Sequence, residues 1–457
     1  MLLPTTERAL LHRVATAQSE GRTPTLTAAV VREGELVWTG SRHAETDPEP
    51  TPDTQYRIGS ITKPLVAVQV MRLRDEGLID LADPLGKHLR GTQAGAATIG
   101  QLLSHTSGLA AEPRGPWWER TPGELRPDLA DLVEGQPLRL PAGRRHHYSN
   151  TAYALLGALV AEVRGSSWDV VLRGEVLEPL GMHRTTLSPE APYAAGWAVH
   201  PWADVLQEEP LTETGTMAPA GQLWSTAADL ARLTAFLGGE GVGVGHVLSA
   251  ETLEEMRRPL APQAFEDWNL AWGLGVSLLR TSGGRVLVGH GGSMPGFVAA
   301  VLSSPTDRLG AVVLANVTSG PPVSGVAADL IRIVTEHEPA LPRPWHPLTD
   351  PADPELLALT GTWYWGAAPH TLRLAADRTL LLGPLGGAGR GSRFRPEADG
   401  TWTGLDGYYA GETLRLARRA DGGVSHLDVA TFVLTREPYE EGAPIPGDTR
   451  PWRHTTA

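Results

Sequence analysis

The sequence has 457 residues, a formal net charge of −13 and no cysteine. The length allows one large domain or two of ordinary size. The acidic residues are scattered rather than clustered, which argues against nucleic acid as a partner, and the lack of cysteine excludes disulfides, thiolate catalysis and cysteine-held metals. No stretch reaches the about 18 continuous apolar residues of a membrane span, and no motif indicates a metal or another cofactor.

The N-terminal segment predicts a surface helix. Residues 5–21, "TTERALLHRVATAQSEG", carry apolar side chains at helical spacing, and Thr5 or Thr6 is expected to cap the helix. Nothing in this segment resembles the apolar core of a secretory signal, so we expect a cytoplasmic protein.

The following segments predict an α+β fold. "TLTAAVVREGELVWTGSR" is typical of two strands around a turn at Glu33 and Gly34. From Ser60 to about Leu237 apolar residues three and four apart predict a large helical block. Strands return beyond Trp272, and a helix is predicted from about Ser324 to Glu336. Strands at both ends of a helical middle predict an antiparallel sheet, built from early and late segments and flanked by helices.

A proline-rich stretch predicts a domain boundary. "EHEPALPRPWHPLTDPADP" cannot sustain a helix or a central strand. We therefore divide the chain into a larger domain at 1–338, a linker at 339–354 and a further domain at 355–457. Short segments broken by glycine and aspartate predict a small all-β barrel or sandwich for the last domain. Its glycine-rich "GPLGGAGRGSR" is interpreted as a mobile loop.

Lysine is rare, and its position indicates chemistry. Among the 39 basic residues only Lys63 and Lys87 are lysine. Lys63 follows Ser60 by three residues where a strand-like segment becomes helical, so both side chains share a helix face. Arginine cannot lose its proton at workable pH, whereas a desolvated lysine can. Lys63 is therefore a candidate base for the hydroxyl of Ser60, although a serine three residues before a lysine also arises by chance.

Two further segments carry candidate site residues. In "HHYSNTAYALLG", Tyr148 and Asn150 can face the same space, where a phenol beside an ammonium ionises more easily and an amide can hold both lysine and substrate. Taken alone, this pair also fits a core tyrosine and a capping asparagine. In "VLVGHGGSMPGF", His290 offers a switchable donor, and the Ser293 N–H can face an oxyanion together with that of Ser60. Taken alone, it also fits a glycine-rich hairpin.

In the order S-x-x-K, Y-x-N and H-G-G, these motifs resemble the penicillin-binding-protein and serine β-lactamase-like family that includes class C β-lactamases, D-amino-acid peptidases and esterases. The phrases "TIGQLLSHTSGL", "LEPLGM" and "APAGQLWSTAADLARL" extend the resemblance over about Arg57 to Asn316. It implies a β-lactamase/transpeptidase-like catalytic domain. It also implies Ser60 as nucleophile, Lys63 as base, Tyr148 as proton relay and Asn150 as substrate and lysine anchor.

The resemblance also has departures. His290 stands where lysine is more usual, and the appended β domain is absent from β-lactamases proper, which argues against antibiotic hydrolysis. In this reading the backbone N–H groups of Ser60 and Ser293 form the oxyanion hole. Gly291 and Gly292 would let a substrate backbone lie along the strand.

Other polar and aromatic residues are assigned by their local context. His105, His146 and His147 are expected to be structural or at the surface, because no triad or metal motif includes them. Tryptophans are core residues by default, and the candidates for a substrate pocket are Trp117, Trp118 and Trp224. Arg436 and Arg450 are candidates to hold a substrate carboxylate, with solvation at the surface as the alternative.

The last domain resembles the lipocalin-like domain of stand-alone penicillin-binding-protein-type thioesterases, which cyclise peptides head to tail. The resemblance implies a peptidyl group, either free or on a peptidyl carrier protein, that is transferred to Ser60 and released by the peptide's own amine. The alternative is a serine hydrolase that uses water: an esterase, a D-amino-acid amidase or a β-lactamase-like enzyme. A third reading is a non-catalytic module that binds peptides or β-lactams. The oligomeric state is left open.

Overall fold

The chain divides into two compact units, Met1–Ala340 and Leu341–Ala457. The computed structural model describes residues 1–44, 49–121, 128–135, 138–264, 268–342, 344–351, 353–439 and 442. Among these residues, no helix combines the length and apolar character needed to cross a lipid bilayer.

The helices and strands of the first unit follow one another along the chain. Its helices are α1 (Pro4–Glu20), α2 (Thr62–Asp75), α3 (Ile99–Leu103), α4 (Asn150–Arg164), α5 (Trp168–Leu172), α6 (Ala218–Gly221), α7 (Ala227–Gly238), α8 (Ala250–Met256) and α9 (Val323–His337). Its strands are β1 (Thr25–Arg32), β2 (Glu35–His43), β3 (Tyr56–Arg57), β4 (Trp197–Val199), β5 (Leu206–Glu208), β6 (Trp224–Ser225), β7 (Ala261–Pro262), β8 (Leu270–Trp272), β9 (Ser277–Arg280), β10 (Val286–Met294), β11 (Phe297–Ser304) and β12 (Leu309–Ala315).

An antiparallel sheet in the order β2-β1-β12-β11-β10-β9-β8-β7 organises this unit. The early strand β1 pairs with the late strand β12, from Leu26 opposite Ala315 to Arg32 opposite Leu309. One face of the sheet is covered by α1 and α9, and the other by α7 and the helical block. The predicted α+β fold, with early and late segments closing one sheet, is confirmed.

The start of α1 differs from the prediction. The helix begins at Pro4, where the missing N–H of proline costs nothing because the first helical N–H groups have no partner within the helix. No side chain caps it, and Thr6 is buried against the protein. The prediction that Thr5 or Thr6 caps this helix is therefore wrong.

The second unit is a closed barrel of eight antiparallel strands preceded by a short helix, α10 (Pro354–Leu359). The strands are β13 (Gly361–Trp365), β14 (Ala368–Leu374), β15 (Leu380–Pro384), β16 (Ser392–Pro396), β17 (Trp402–Gly404), β18 (Thr413–Arg418), β19 (Val424–Val429) and β20 (Phe432–Thr435). Each strand pairs with its neighbour in the chain, and β20 closes on β13. Of the two predicted alternatives, the structure shows the barrel.

Candidate active site

The Ser60–Lys63 pair lies at the junction of a turn and a helix. A 3-10 turn at Gly59–Ile61 runs directly into α2. Residues three apart on such a turn face the same side, and Lys63 Nζ lies 2.8 Å from Ser60 Oγ. The second partner of Nζ is the carbonyl oxygen of Ala220 in α6, at 2.6 Å. The amine is therefore held at hydrogen-bonding distance from the hydroxyl.

The Lys63 side chain is completely buried. Burial lowers the pKa of its amine from 10.5 to about 7, although the negative charges of Glu112 and Glu119 oppose the shift. A large fraction of the amine is thus neutral near pH 7 and can accept a proton from the Ser60 hydroxyl. This is the property that the sequence predicted for lysine at this position.

Tyr148 lies beside the pair, with its ring centre 5.0 Å from Lys63 Nζ. Burial raises the pKa of its phenol well above the ordinary value, and the interaction with Ser60 lowers it by less. Tyr148 therefore keeps its proton, contrary to the expectation that a neighbouring ammonium eases its ionisation. A protonated phenol can still pass a proton on by giving one and receiving another.

Asn150 points to a carboxylate rather than to Lys63. Ser149 caps α4 by accepting the N–H of Ala152, and Asn150 is the first residue of the helix. Its Nδ2 donates to Glu112 Oε1 at 2.6 Å. Among the described residues, Lys63 Nζ has Ser60 and Ala220 as its hydrogen-bond partners, so the predicted contact between Asn150 and the lysine is not made.

Glu112 is a site residue that the sequence analysis missed. Its other oxygen accepts the indole N–H of Trp118 at 2.7 Å. Partial desolvation raises the pKa of Glu112 despite these two hydrogen bonds, while the side chain keeps access to solvent. The site therefore has an orientated carboxylate at its rim. Its only signal in the sequence is a glutamate in the loop "AEPRGPWWER".

His290 lies in the middle of β10 and is 3% exposed. Burial lowers the pKa of His290 to about 3, and the charge of Lys63 acts in the same direction. Nδ1 contacts the carbonyl oxygen of Gly291, and a carbonyl can only accept, so the proton of the neutral ring is on Nδ1. Nε2 is buried, has no hydrogen-bond partner among the described residues, and is left as an acceptor.

The strand β10 lies directly against the nucleophile turn. A Cβ added to Gly59, whose φ is +52°, would come within 2.6 Å of the Ser293 nitrogen. A Cβ on Gly292 would come within 1.9 Å of the Ile58 carbonyl oxygen. Glycine at both positions therefore permits the close approach that brings the backbone of Ser293 beside Ser60. Gly291 is half-buried on the same strand, opposite Ala300.

His105 contacts the site through Tyr148. Its buried ring stacks on the Tyr148 ring with 4.2 Å between centres. Its Nδ1 accepts the N–H of Ser149 at 3.1 Å, and its carbonyl oxygen accepts the N–H of His147 at 2.7 Å. The structural role expected for His105 is thus a specific one, since the histidine fixes the segment that carries the phenol. The "SHTSG" motif alone did not indicate this partner.

The predicted substrate-binding tryptophans have different surroundings. Trp117 is exposed and lies under the Arg120 guanidinium, whereas Trp118 is buried and orients Glu112. Trp224 is 1% exposed and packs against Phe297 in the core, which leaves no surface for a substrate. Trp272, interpreted as a core residue, instead packs against Tyr148 and His290 beside the site.

The two arginines proposed to hold a carboxylate lie in the second unit. Arg436 donates to the carbonyl oxygens of Thr360 and Thr362 at 3.1 Å each, and to that of Ala358. Its guanidinium also lies over the Trp363 ring. Arg436 therefore ties α10 to the barrel and has little capacity for a ligand. Arg450 lies outside the described residues.

The buried histidines predict a loss of stability in acid. In the unfolded chain an imidazole has a pKa of about 6.5, whereas burial holds the pKa of His290 at about 3 and that of His105 well below its ordinary value. Between these values the unfolded state binds more protons, so the free energy of unfolding falls as the pH decreases below 6.5. Each buried ring contributes up to about 1.4 kcal/mol per pH unit.

Urea titrations between pH 7.5 and 4.5 measure this slope. We expect His290→Gln to reduce the slope by the contribution of one ring, and His12→Gln, on the exposed side of α1, to leave it unchanged. Equal slopes in wild type and His290→Gln would show that folding does not lower the pKa of His290.

Comparisons with known proteins agree with this fold. The model of the Beta-lactamase family matches residues 8–336, and a domain of unknown function, DUF7586, matches residues 352–436. Penicillin-binding protein 4 of Amycolatopsis lactamdurans is 28% identical over 77% of this chain and 96% of its own length.

Two solved structures are also similar. The D-stereospecific amidohydrolase of Streptomyces sp. has a TM-score of 0.61 at 25% identity, and the match covers 73% of this chain and 99% of that one. SurE has a TM-score of 0.57 at 26% identity, and the match covers 95% of this chain and 99% of that one. SurE has also been solved with D-Leu.

The family match spans most of the first unit, from α1 to α9, and includes the turn of Ser60, the segment of Tyr148 and the strand of His290. Members of this family are serine hydrolases and acyltransferases. The chain, with its serine and buried lysine 2.8 Å apart, therefore belongs to the beta-lactamase family.

Proposed function

We propose that the chain forms an acyl-enzyme on Ser60. The observation that carries the proposal is the Ser60–Lys63 pair, in which a buried amine with a pKa of about 7 lies 2.8 Å from the hydroxyl. Ser60 Oγ attacks the carbonyl carbon while its proton moves to Lys63 Nζ. Lys63 then passes this proton through Tyr148 to the leaving group, which departs protonated. The Lys63 amine is neutral again, and the acyl group remains as an ester on Ser60.

In this proposal the oxyanion is held by the backbone N–H groups of Ser60 and Ser293. Support comes from the close packing of β10 on the nucleophile turn. A Cβ added to Gly59 would come within 2.6 Å of the Ser293 nitrogen. His290 is neutral and presents an acceptor, so it adds no positive charge for a substrate carboxylate. A substrate with a free carboxylate next to the scissile bond is therefore disfavoured.

We further propose that the acceptor is an amine, and that the enzyme is a peptide cyclase. Glu112 is held by Asn150 and Trp118 at the rim of the site and keeps access to solvent. A carboxylate in this position can hold an incoming ammonium group and take its proton. The free amine then attacks the ester carbon and gives its excess proton through Tyr148 to the neutral Lys63 amine. The bond between the acyl carbon and the Ser60 oxygen breaks, Lys63 passes that proton to the departing oxygen, and Glu112 releases the first proton to solvent.

The donor in this proposal is a peptidyl thioester or ester that ends in a D residue, and its own N-terminal amine closes the ring. The likeness to SurE supports this reading, because it extends over 95% of the chain and SurE has been solved with D-Leu. The second candidate is a hydrolase, in which water resolves the same ester. The likeness to a D-stereospecific amidohydrolase favours this alternative.

Product analysis separates the two candidates. The full chain is incubated with linear peptide thioester mimics that end in a D or an L residue, and mass spectrometry distinguishes the cyclic peptide from the linear acid. We expect cyclic product from the D series. Linear acid from every peptide would reject the cyclase and retain the hydrolase. In a separate experiment, an acyl-phosphonate probe should label the wild type at Ser60 and should not label Ser60→Ala. If the wild type is not labelled either, the chain is a binding module.

The role of Glu112 is tested in the same assay. Glu112→Gln keeps the size of the side chain but removes the charge, so we expect the ratio of linear acid to cyclic product to rise at least about tenfold. Glu119→Gln is the matched control, because Glu119 accepts from Trp117 rather than from Asn150. An unchanged product ratio in Glu112→Gln would show that this carboxylate does not hold the acceptor.

A further inference from the structure

The barrel brings an arginine and several aromatic rings to one of its mouths. In a barrel of sequential antiparallel strands, alternate connections lie at the same end. The connections β13–β14, β15–β16, β17–β18 and β19–β20 therefore share one mouth. They place together Trp365 at the end of β13, Arg390 in the glycine-rich loop, Tyr408 before β18 and Phe432 at the start of β20.

The Arg390 guanidinium is enclosed by these rings. Its central carbon lies 4.5 Å from the ring centre of Tyr408, 4.6 Å from that of Phe432 and 5.1 Å from that of Trp365. Cation–π contacts of this kind hold the guanidinium plane in place and leave the N–H groups at its edge to find acceptors. The side chain is thus orientated by apolar surfaces rather than by hydrogen bonds.

Among the described residues, the Arg390 guanidinium has no hydrogen-bond acceptor. Within the described part of the chain no hydrogen bond or ion pair reaches this guanidinium, and its Nη1 is buried without a partner. The neighbouring Arg393 pairs with Asp406 at 2.5 Å, and Arg436 donates to backbone carbonyls. A buried N–H without an acceptor lowers the stability of the folded protein. Unlike Arg393 and Arg436, Arg390 therefore has a donor that can bind an acceptor from outside the protein.

The exposed apolar surface lies at the mouth and not inside the barrel. The interior is filled by side chains that include Trp363, Phe394 and Trp402, as expected for eight strands. At the mouth, Trp365 is 46% exposed and Tyr408 is 58% exposed, although both are large rings. Flat apolar surface is therefore available directly beside an unpaired cation.

We propose that this mouth binds the carboxylate of a molecule with a compact apolar body, such as the C-terminal residue of a peptide or a free N-acylated amino acid. Arg390 would accept the carboxylate in a two-point contact, and the faces of Trp365 and Tyr408 would contact the apolar side chain. A single unpaired guanidinium matches one negative charge, which favours a carboxylate over a phosphate dianion. This inference does not depend on the chemistry proposed for Ser60.

Calorimetric titration of the full chain tests the proposal. The probes are N-acetyl-leucine, its carboxamide, a pentapeptide acid that ends in leucine, and decanoate. We expect both leucine acids to bind at least tenfold more tightly than the carboxamide. A preference for the pentapeptide over N-acetyl-leucine would identify a peptide terminus as the ligand, and equal affinities would identify a single residue. Stronger binding of decanoate, or equal binding of acid and amide, would overturn the proposal.

Variants locate the binding to this mouth. Arg390→Gln should weaken binding of the acids at least tenfold. Arg390→Lys keeps the charge but cannot make the two-point contact with a carboxylate, so it should weaken binding by less. Arg373→Gln is the control, because Arg373 is an exposed arginine on β14. Ser60 labelling and circular dichroism confirm that each variant is folded. Unchanged affinity for the acids in Arg390→Gln would show that Arg390 does not bind the carboxylate. Binding of added guanidinium ion by Arg390→Gln, in place of the acids, would show that Arg390 only fills the space between the rings.

Discussion

Replacing Lys63 with arginine is expected to slow acylation of Ser60 by about 10³-fold to 10⁴-fold. The step requires a neutral amine that accepts the hydroxyl proton, and arginine stays charged at any pH at which the protein is folded. Lys63 is also completely buried between Ser60 and the carbonyl oxygen of Ala220, so the larger guanidinium cannot occupy the same position without displacing them. The rate of Ser60 acylation is compared by following the labelling of Ser60 with a phosphonate probe in samples quenched at successive times.

The second lysine provides the control. Lys87 is exposed and pairs with Asp83 at 2.7 Å, and arginine can make the same ion pair in solvent. Lys87→Arg should therefore acylate at the wild-type rate within about twofold, since surface ion pairs contribute little. If Lys63→Arg also kept near-normal acylation in a folded protein, Lys63 would not be the base.

The pH profile adds an independent measurement. With a pKa of about 7 for Lys63, kcat/KM should fall below pH 7 as the amine becomes protonated, and should level off above it. The negative charge of Glu112 stabilises the ammonium and raises this pKa, so Glu112→Gln should move the midpoint to lower pH. If the midpoint of the pH profile is the same in Glu112→Gln as in the wild type, the charge of Glu112 does not affect the pKa of Lys63.

The sequence predicted well those features that depend on local geometry. Ser60 and Lys63 are three residues apart on a helical turn, and this spacing alone fixes their approach. The sheet was predictable because apolar strands at both ends of the first unit are buried on both faces, and their backbone groups then find partners by pairing, as those of β1 and β12 do.

Features that depend on distant contacts were not predictable. Glu112 accepts a hydrogen bond from Asn150, which is 38 residues away in the sequence, and Ala220 accepts one from Lys63, which is 157 residues away. No local sequence pattern encodes either contact. The protonation of Tyr148 was misjudged for a similar reason. The sequence shows the neighbouring ammonium, but only the fold shows the burial that outweighs it.

Replacing Gly292 with alanine is the second change with a large expected effect. The new Cβ would lie 1.9 Å from the Ile58 carbonyl oxygen. The oxygen belongs to the backbone and the Cβ is bonded directly to the Cα atom of residue 292, so neither atom can move away as the end of a flexible side chain would. Strand β10 must shift from the nucleophile turn, and the Ser293 N–H moves with it. We expect acylation to fall by about 10²-fold to 10³-fold, the effect of losing one oxyanion donor.

The matched control is Gly283→Ala in the exposed turn before β10, where the nearest atom to the added Cβ is Thr281 Oγ1 at 3.9 Å. This variant should acylate as the wild type does. Gly292→Ala is expected to lose about 1–3 kcal/mol of stability through overpacking, so both rates are measured well below the melting temperature. Full acylation by a folded Gly292→Ala would mean that the oxyanion is stabilised without Ser293, because a displaced N–H cannot make the same hydrogen bond.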